Sequence, residues 1–281
     1  VKGACIVTSL RESLVMSNDQ TGNEKATRGI LLDNRDVKLI EAIDLPAAIG
    51  LLTRLPIPVP QERAMERGAA AAWAYPLAGL VIGVILAASV SVLSWVGLPV
   101  GIVAALVLAI GAIVTGAMHE DGLADSADGL WGGWDRARRL AIMKDSSIGV
   151  YGVLALALSL LIRWMGISAL IVLEIHWTGL IAIAVLSRGG MVVLMTAMTN
   201  ARESGLSQSV GRPSASTAWV AVGITAVIAV LCGQISLIFA AAIAVLLCGM
   251  IAQRKIGGQT GDILGATQQI TEILLLLVIL S

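Results

Sequence analysis

The run His119-Glu-Asp-Gly-Leu-Ala-Asp-Ser-Ala-Asp-Gly129 carries the chemistry that is most visible in the chain. Asp121, Asp125 and Asp128 stand at i, i+4 and i+7, so a helix here places three carboxylates on one face. Like charges so placed repel, and a divalent cation relieves the repulsion. Magnesium (Mg2+) prefers carboxylate oxygens, takes one or two of them, and completes its octahedron with water and substrate phosphates. The reading is therefore a phosphate-bearing substrate, with Asp121, Asp125 and Asp128 as metal ligands and catalytic groups. His119 beside them is a candidate base or a support to the metal. The bland alternative is a solvated surface loop. Such loops usually mix signs, whereas these aspartates share a face among Gly122, Gly129, Gly132 and Gly133, and glycine permits close backbone approach.

Further candidates flank this run. Arg136, Arg138, Arg139 and Lys144 offer guanidinium forks and an ammonium charge to phosphate oxygens, or serve as basic anchors at a membrane face. In Lys144-Asp145-Ser146-Ser147-Ile148-Gly149, Asp145 is another candidate metal ligand. Ser146 either caps the next helix or helps form an anion site at its N-terminus. Asp262, in the polar stretch 257–265, joins the metal site or caps the last helix. Arg188 ends an apolar run, where an arginine is a functional candidate unless it snorkels to the interface. His176, next to Trp177, reads as a satisfied or interfacial histidine. Cys5, Cys232 and Cys248 lie far apart with no CxxC spacing, so neither a disulfide nor a zinc role is expected. No G-x-S-x-G, Walker A or H-E-x-x-H pattern is present.

The elements that must position these groups are membrane helices. Of 281 residues, 57% are hydrophobic and 14% charged, far from the balance of an ordinary soluble domain. Apolar runs long enough to cross a bilayer fall at about 73–96, 99–118, 147–165, 167–186, 215–232, 235–252 and 264–280. Met191 to Met198 extends or breaks the fourth of these. The expected fold class is all-α, a polytopic transmembrane bundle of about seven spans with an aspartate-rich helical loop. Short turns at Gly97-Leu98-Pro99, Gly166 and Gly233-Gln234 alternate with long charged connections. The long connections hold twelve basic residues and the opposite face only Arg163, so the charged face is expected in the cytoplasm. Residues 1–37 read as a polar, loose extension without the order of a cleaved export signal, and 38–281 as the membrane domain. The stretch 38–52 suits the interface, and Thr53 to Pro58 an extended turn. Zero formal net charge gives no sign of a nucleic-acid partner. The expected partners are membrane lipid and small-molecule substrates, and self-association is left open.

Six strings resemble the cobalamin synthase (adenosylcobinamide-GDP ribazoletransferase) family: LTRLP (Leu52 to Pro56), YPLAGLVIG (Tyr75 to Gly83), TGAMHEDGLADSADGLWGG (Thr115 to Gly133), IMKDSSIGVYG (Ile142 to Gly152), SRGG (Ser187 to Gly190) and GQTGDILGATQQITE (Gly258 to Glu272). They run in the family's order over nearly all of the chain after about residue 39. Two departures stand out: the polar extension before residue 38, and Arg163 where the family often has lysine. The resemblance implies a transferase of the prokaryotic inner membrane that joins GDP-activated cobinamide to α-ribazole or its 5′-phosphate and expels GMP. The corrinoid would be substrate and product, not cofactor. Arg54, Lys144, Ser146, Arg188 and Asp262 of the matched strings, and Arg139 between two of them, become candidate substrate contacts. Two rivals fare worse. The CDP-alcohol phosphotransferase class needs Ala-Arg after its first Asp-Gly, whereas Leu123-Ala124-Asp125 follows here. A transporter would carry acids within its spans, where only Glu174 and Glu272 are expected.

Overall fold

A computed structural model describes residues 38–281, so the expectation for residues 1–37 lies outside the described residues. The chain enters through a short helix, α1 (Asp44–Leu52), an extended stretch over 53–60, and α2 (Gln61–Arg67), which tightens into a 3-10 turn, Gly68–Ala74. Then come α3 (Tyr75–Trp95), α4 (Val100–Thr115), α5 (Met118–Gly132), α6 (Arg136–Ile142), α7 (Val150–Val172) and α8 (His176–Ala197). The chain closes with α9 (Leu206–Val210), α10 (Ala215–Leu231), α11 (Ser236–Ile256) and α12 (Gly261–Ile279).

The long apolar helices fall where hydropathy places them, with two corrections. Gly166 does not end a span, because α7 runs on to Val172 and the turn comes at Leu173–Ile175. Glycine costs an apolar helix little when its missing side chain admits a neighbour, and a Cβ at Gly166 would stand 3.0 Å from Leu276. Met191 to Met198 extends α8, which passes unbroken through Gly189-Gly190. The second correction concerns the count. Among the described residues, five helices are long and apolar enough to cross a membrane, six if α4 and α5 make one broken span, and Ala215–Leu231 is shorter. The protein is thus a polytopic helical bundle, with five to six helices that meet the length of a span and a shorter apolar helix at the remaining expected one.

Small residues set the central crossing of α3 with α8. A Cβ on Gly79 would lie 2.5 Å from the Ala184 carbonyl oxygen, and one on Gly83 2.8 Å from the Ile181 Cα, so the two backbones touch where lipid supplies no hydrophobic drive. Helix α12 lies against α5, α7, α8 and α11 and is buried along most of its length. One end of the bundle gathers α6, the C-terminus of α11 and the N-terminus of α12. There Arg136 donates to the carbonyls of Ile256 and Ala201, Arg139 to those of Gly133 and Lys255, and Lys255 to that of Leu130. Cations placed on the last carbonyls of α11 complement its dipole.

The chemistry-bearing run is a helix, α5, as its spacing predicts, but it is not a loop at the surface. Two successive left-handed residues, Gly116 (φ 65) and Ala117 (φ 54), turn the chain through 91° between α4 and α5. A left-handed alanine is held against a cost of about 1–2 kcal/mol. With His119, Glu120, Asp121, Asp125 and Asp128 among its 15 residues, α5 is not itself a span; it packs into the bundle against α12 and α7.

Candidate active site

Two glycine-bearing strings fit together where α5 meets α12. A Cβ on Gly122 would lie 2.8 Å from the Asp262 carbonyl oxygen, and one on Gly265 3.3 Å from the His119 Cα. This close approach puts Asp121 of one string and Asp262 of the other on the wall of a single cavity of about 250 Å³. His119, Arg202, Asn200 and Gln259 line the same cavity, with Leu52, Tyr75, Met118, Met191, Met195 and Leu264 as its apolar surface. Thr260 caps α12 through the Ile263 N–H, which fixes the register of Asp262. Asp262 is therefore in the first turn and is not the cap.

The carboxylates crowd one another. Burial, then the charges of Asp121 and Asp262, push the Asp125 carboxyl up from 3.8 to about 7, while Arg202 pulls it the other way. Arg202 pairs with Asp262 at 2.9 Å. Among the described residues, no three His, Cys, Asp or Glu side chains form a ready-made metal cage. Asp128 has a different engagement. Its two oxygens accept the N–H groups of Gly149 at 2.7 Å and Gly152 at 2.9 Å, so a side chain of α5 satisfies the orphan donors that open α7. That is the cap Ser146 was a candidate to supply; α7 begins instead at Val150, after Gly149. The glycines are required, since a Cβ on Gly152 would sit 2.4 Å from an Asp128 oxygen.

Beneath the cavity lies a buried ionic network. Glu272 of α12 binds Arg188 of α8 at 2.6 Å and Arg163 of α7 at 3.1 Å, and Arg163 binds Glu120 of α5 at 3.1 Å. Gln269 accepts from Arg163 and donates to Glu120, and Gln268 donates to Glu272. Two cations and two anions balance, as burial demands. Arg163 is thus inside the bundle and not on the sparsely charged face, and Arg188 serves this network and not the cavity wall. His119 is 1% exposed, and neither ring nitrogen has a hydrogen-bond partner.

The remaining candidates are placed as follows. Arg54 is exposed, its backbone N–H bonded to the Val114 carbonyl and its side chain lying over Gly116. Arg139 is spent on carbonyls. Lys144, Asp145 and Ser146 are exposed in the connection before α7 and do not line the cavity. The N–H of Ser147 bonds Asp145 and holds its carboxyl below the ordinary range. His176 contacts the Ser91 hydroxyl through Nε2 at 3.2 Å, while its buried Nδ1 has no partner, so it is only half satisfied. Sequence reasoning missed Arg202, which sits in a polar connection with no local pattern. It also missed the Glu120–Arg163–Glu272–Arg188 set, which opposite charges inside apolar runs could have revealed.

A family model described as Cobalamin-5-phosphate synthase matches residues 44–280. An adenosylcobinamide-GDP ribazoletransferase of Bradyrhizobium diazoefficiens is 42% identical over 240 residues, covering 84% of this chain and 92% of that protein. Proteins of the same name from Mesorhizobium japonicum and Sinorhizobium medicae are 43% and 40% identical, covering 84% and 83% of this chain and 92% and 94% of theirs. No solved structure matches the chain.

Proposed function

The chain belongs to the cobalamin-5-phosphate synthase family, and we infer that it is the transferase that completes the nucleotide loop of cobalamin. Adenosylcobinamide-GDP and α-ribazole, or its 5′-phosphate, are joined with release of GMP at the cytoplasmic face of a prokaryotic inner membrane. The observation that carries this reading is the cavity itself, whose walls come from four of the six family strings and bring Asp121 and Asp262 to one rim with His119 below.

The reaction is a phosphoryl-group transfer, which needs alignment and neutralisation of charge on phosphate oxygens more than covalent help from the protein. The ribose hydroxyl attacks the phosphorus next to the cobinamide linker. An O–P bond forms there, the bond from that phosphorus to the GMP oxygen breaks, and its electron pair leaves on GMP. His119 would take the hydroxyl proton, a role supported by its two unpartnered ring nitrogens and its position in the cavity lining. The donor set suits magnesium: all-oxygen, with Asp121, Asp125 and Asp262 close enough to repel, and a full protein cage is not what that ion requires. Asp121 and Asp125, with Asp262, would hold it, and when bound it neutralises charge on the transferring phosphate. Asp128 keeps α5 and α7 in register, and the buried network keeps α5 seated against α12.

The purified chain in detergent, given magnesium, adenosylcobinamide-GDP and α-ribazole labelled with 18O at the attacking hydroxyl, tests this route. The label is expected in the product phosphodiester. Label lost to water would place the attack elsewhere and refute the route.

A further inference from the structure

Most basic side chains around the cavity are already committed. Arg136, Arg139 and Lys255 donate to backbone carbonyls, and Arg163 and Arg188 share Glu272. Arg202 differs. It lines the cavity with Asp121 and Asp262, and only its Nη1 has a strong partner, Asp262 at 2.9 Å. Its Nη2 makes a long bond of 3.3 Å to the Leu140 carbonyl, and its buried Nε–H has none. A guanidinium left this way carries an unmet donor edge, which is costly in a buried setting and which an oxyanion satisfies bidentately.

Arg202 is also held in place. Its segment, between α8 and α9, is strapped to the head of α12: Ala201 N–H donates to the Gln259 carbonyl at 2.8 Å, and Gln259 N–H to that of Thr199 at 2.9 Å. Gly258 permits the strap, since a Cβ there would lie 2.5 Å from the Thr199 oxygen. Neighbouring polar side chains are spent on each other. Ser207 donates to Asn200 and Gln259, and Asn200 to Gln208. Below, His119 is buried, unpartnered and lines the same space.

We propose that Arg202 receives a phosphate group of the substrate's diphosphate through its Nε–Nη2 edge, while Nη1 remains on Asp262. The inference deepens the functional reading and rests on it for the identity of the diphosphate. Arg202 thereby takes the part for which the sequence offered Arg139 and Lys144.

The full chain in detergent with magnesium is assayed in two ways, by melting with and without inorganic diphosphate and by steady-state turnover. Diphosphate is expected to raise the melting temperature of the wild type and to leave Arg202→Gln unmoved. Arg202→Lys, which keeps the charge and loses the fork, falls between. For Arg202→Gln the KM for adenosylcobinamide-GDP rises roughly ten- to a hundred-fold, as loss of a charge-assisted hydrogen bond implies, and the KM for α-ribazole stays put. A wild type that diphosphate fails to stabilise, or an Arg202→Gln chain stabilised equally, overturns the inference. Should Arg202→Gln not fold, Arg202→Lys decides: diphosphate affinity equal to wild type overturns it, and weakened affinity supports it. A wild type that binds diphosphate through Arg202 yet releases no GMP leaves this inference standing and removes the reaction assigned above.

Discussion

Replacing Glu272 with alanine strands one buried cation and deprives a second of one of its two carboxylates. Its Oε1 holds Arg188 at 2.6 Å and its Oε2 holds Arg163 at 3.1 Å, and these arginine side chains are 3% and 10% exposed. After the change Arg163 keeps Glu120, while Arg188 is left with the Ser187 hydroxyl and the Ala184 carbonyl. Breaking a buried pair by removing one partner costs about 3–5 kcal/mol, and the loss of two pairs at once puts this case at the upper end. At about 2–4 °C per kcal/mol for a chain of this size, Glu272→Ala should melt roughly 10–20 °C below wild type. Glu272→Gln keeps an acceptor oxygen and loses the charge, so it falls between. Arg188→Met in the Glu272→Ala background removes one stranded cation and should recover part of the loss, a coupling of about 1–3 kcal/mol. Melting of the detergent-purified chain, followed by tryptophan fluorescence, reads these three variants and the single Arg188→Met change that completes the cycle. If Glu272→Ala melts within about 2 °C of wild type and the double variant is additive, these groups do not act as one network.

Three further outcomes are expected. Asp121→Asn and Asp125→Asn should each lower GMP release by roughly a hundred-fold and shift the magnesium titration with membrane insertion intact; Asp128→Asn should lose less, because its amide oxygen still accepts one N–H of α7, and equal losses at all three would contradict this division. A single cysteine near Asp135 should react with an impermeant reagent only when the cytoplasmic face is open, and strong labelling from outside would reverse the topology. Asp44 should give the fold an acid-sensitive contribution: burial raises its carboxyl, but bonds from Arg67, Trp73 and the Glu41 N–H outweigh that and hold it below 3.8. That stability is present above the unfolded value of about 3.8 and is lost as pH falls through the lower folded value. The stability gap between wild type and Asp44→Asn should therefore narrow in acid, and a constant gap would exclude the effect.

How far the sequence reached follows from what each residue answers to. Apolar runs reveal helices because lipid leaves the backbone no other way to satisfy itself, and the 3.6-residue period revealed the aspartate face of α5. The turn at Leu173–Ile175 was invisible because Gly166 looks like a break unless Leu276 is known to fill its place. Asp128 read as a metal ligand because composition cannot distinguish a carboxylate facing a cation from one facing two amides 21 and 24 residues away. Asp262 stood open between the aspartate string and a helix cap, because its place beside α5 depends on Gly122 and Gly265 letting α5 and α12 touch. Arg202 had no local signal, since its position depends on a strap to Gln259 far along the chain.

The most direct measurement is a mass-spectrometric time course on the purified full chain, with magnesium, adenosylcobinamide-GDP and α-ribazole, beside Asp121→Asn. The account predicts GMP and adenosylcobalamin, or its 5′-phosphate when ribazole phosphate is supplied, appearing in equal amounts and nearly absent in the variant. A well-folded wild type that releases no GMP when both substrates are present, or releases it without forming the joined corrinoid, would contradict it.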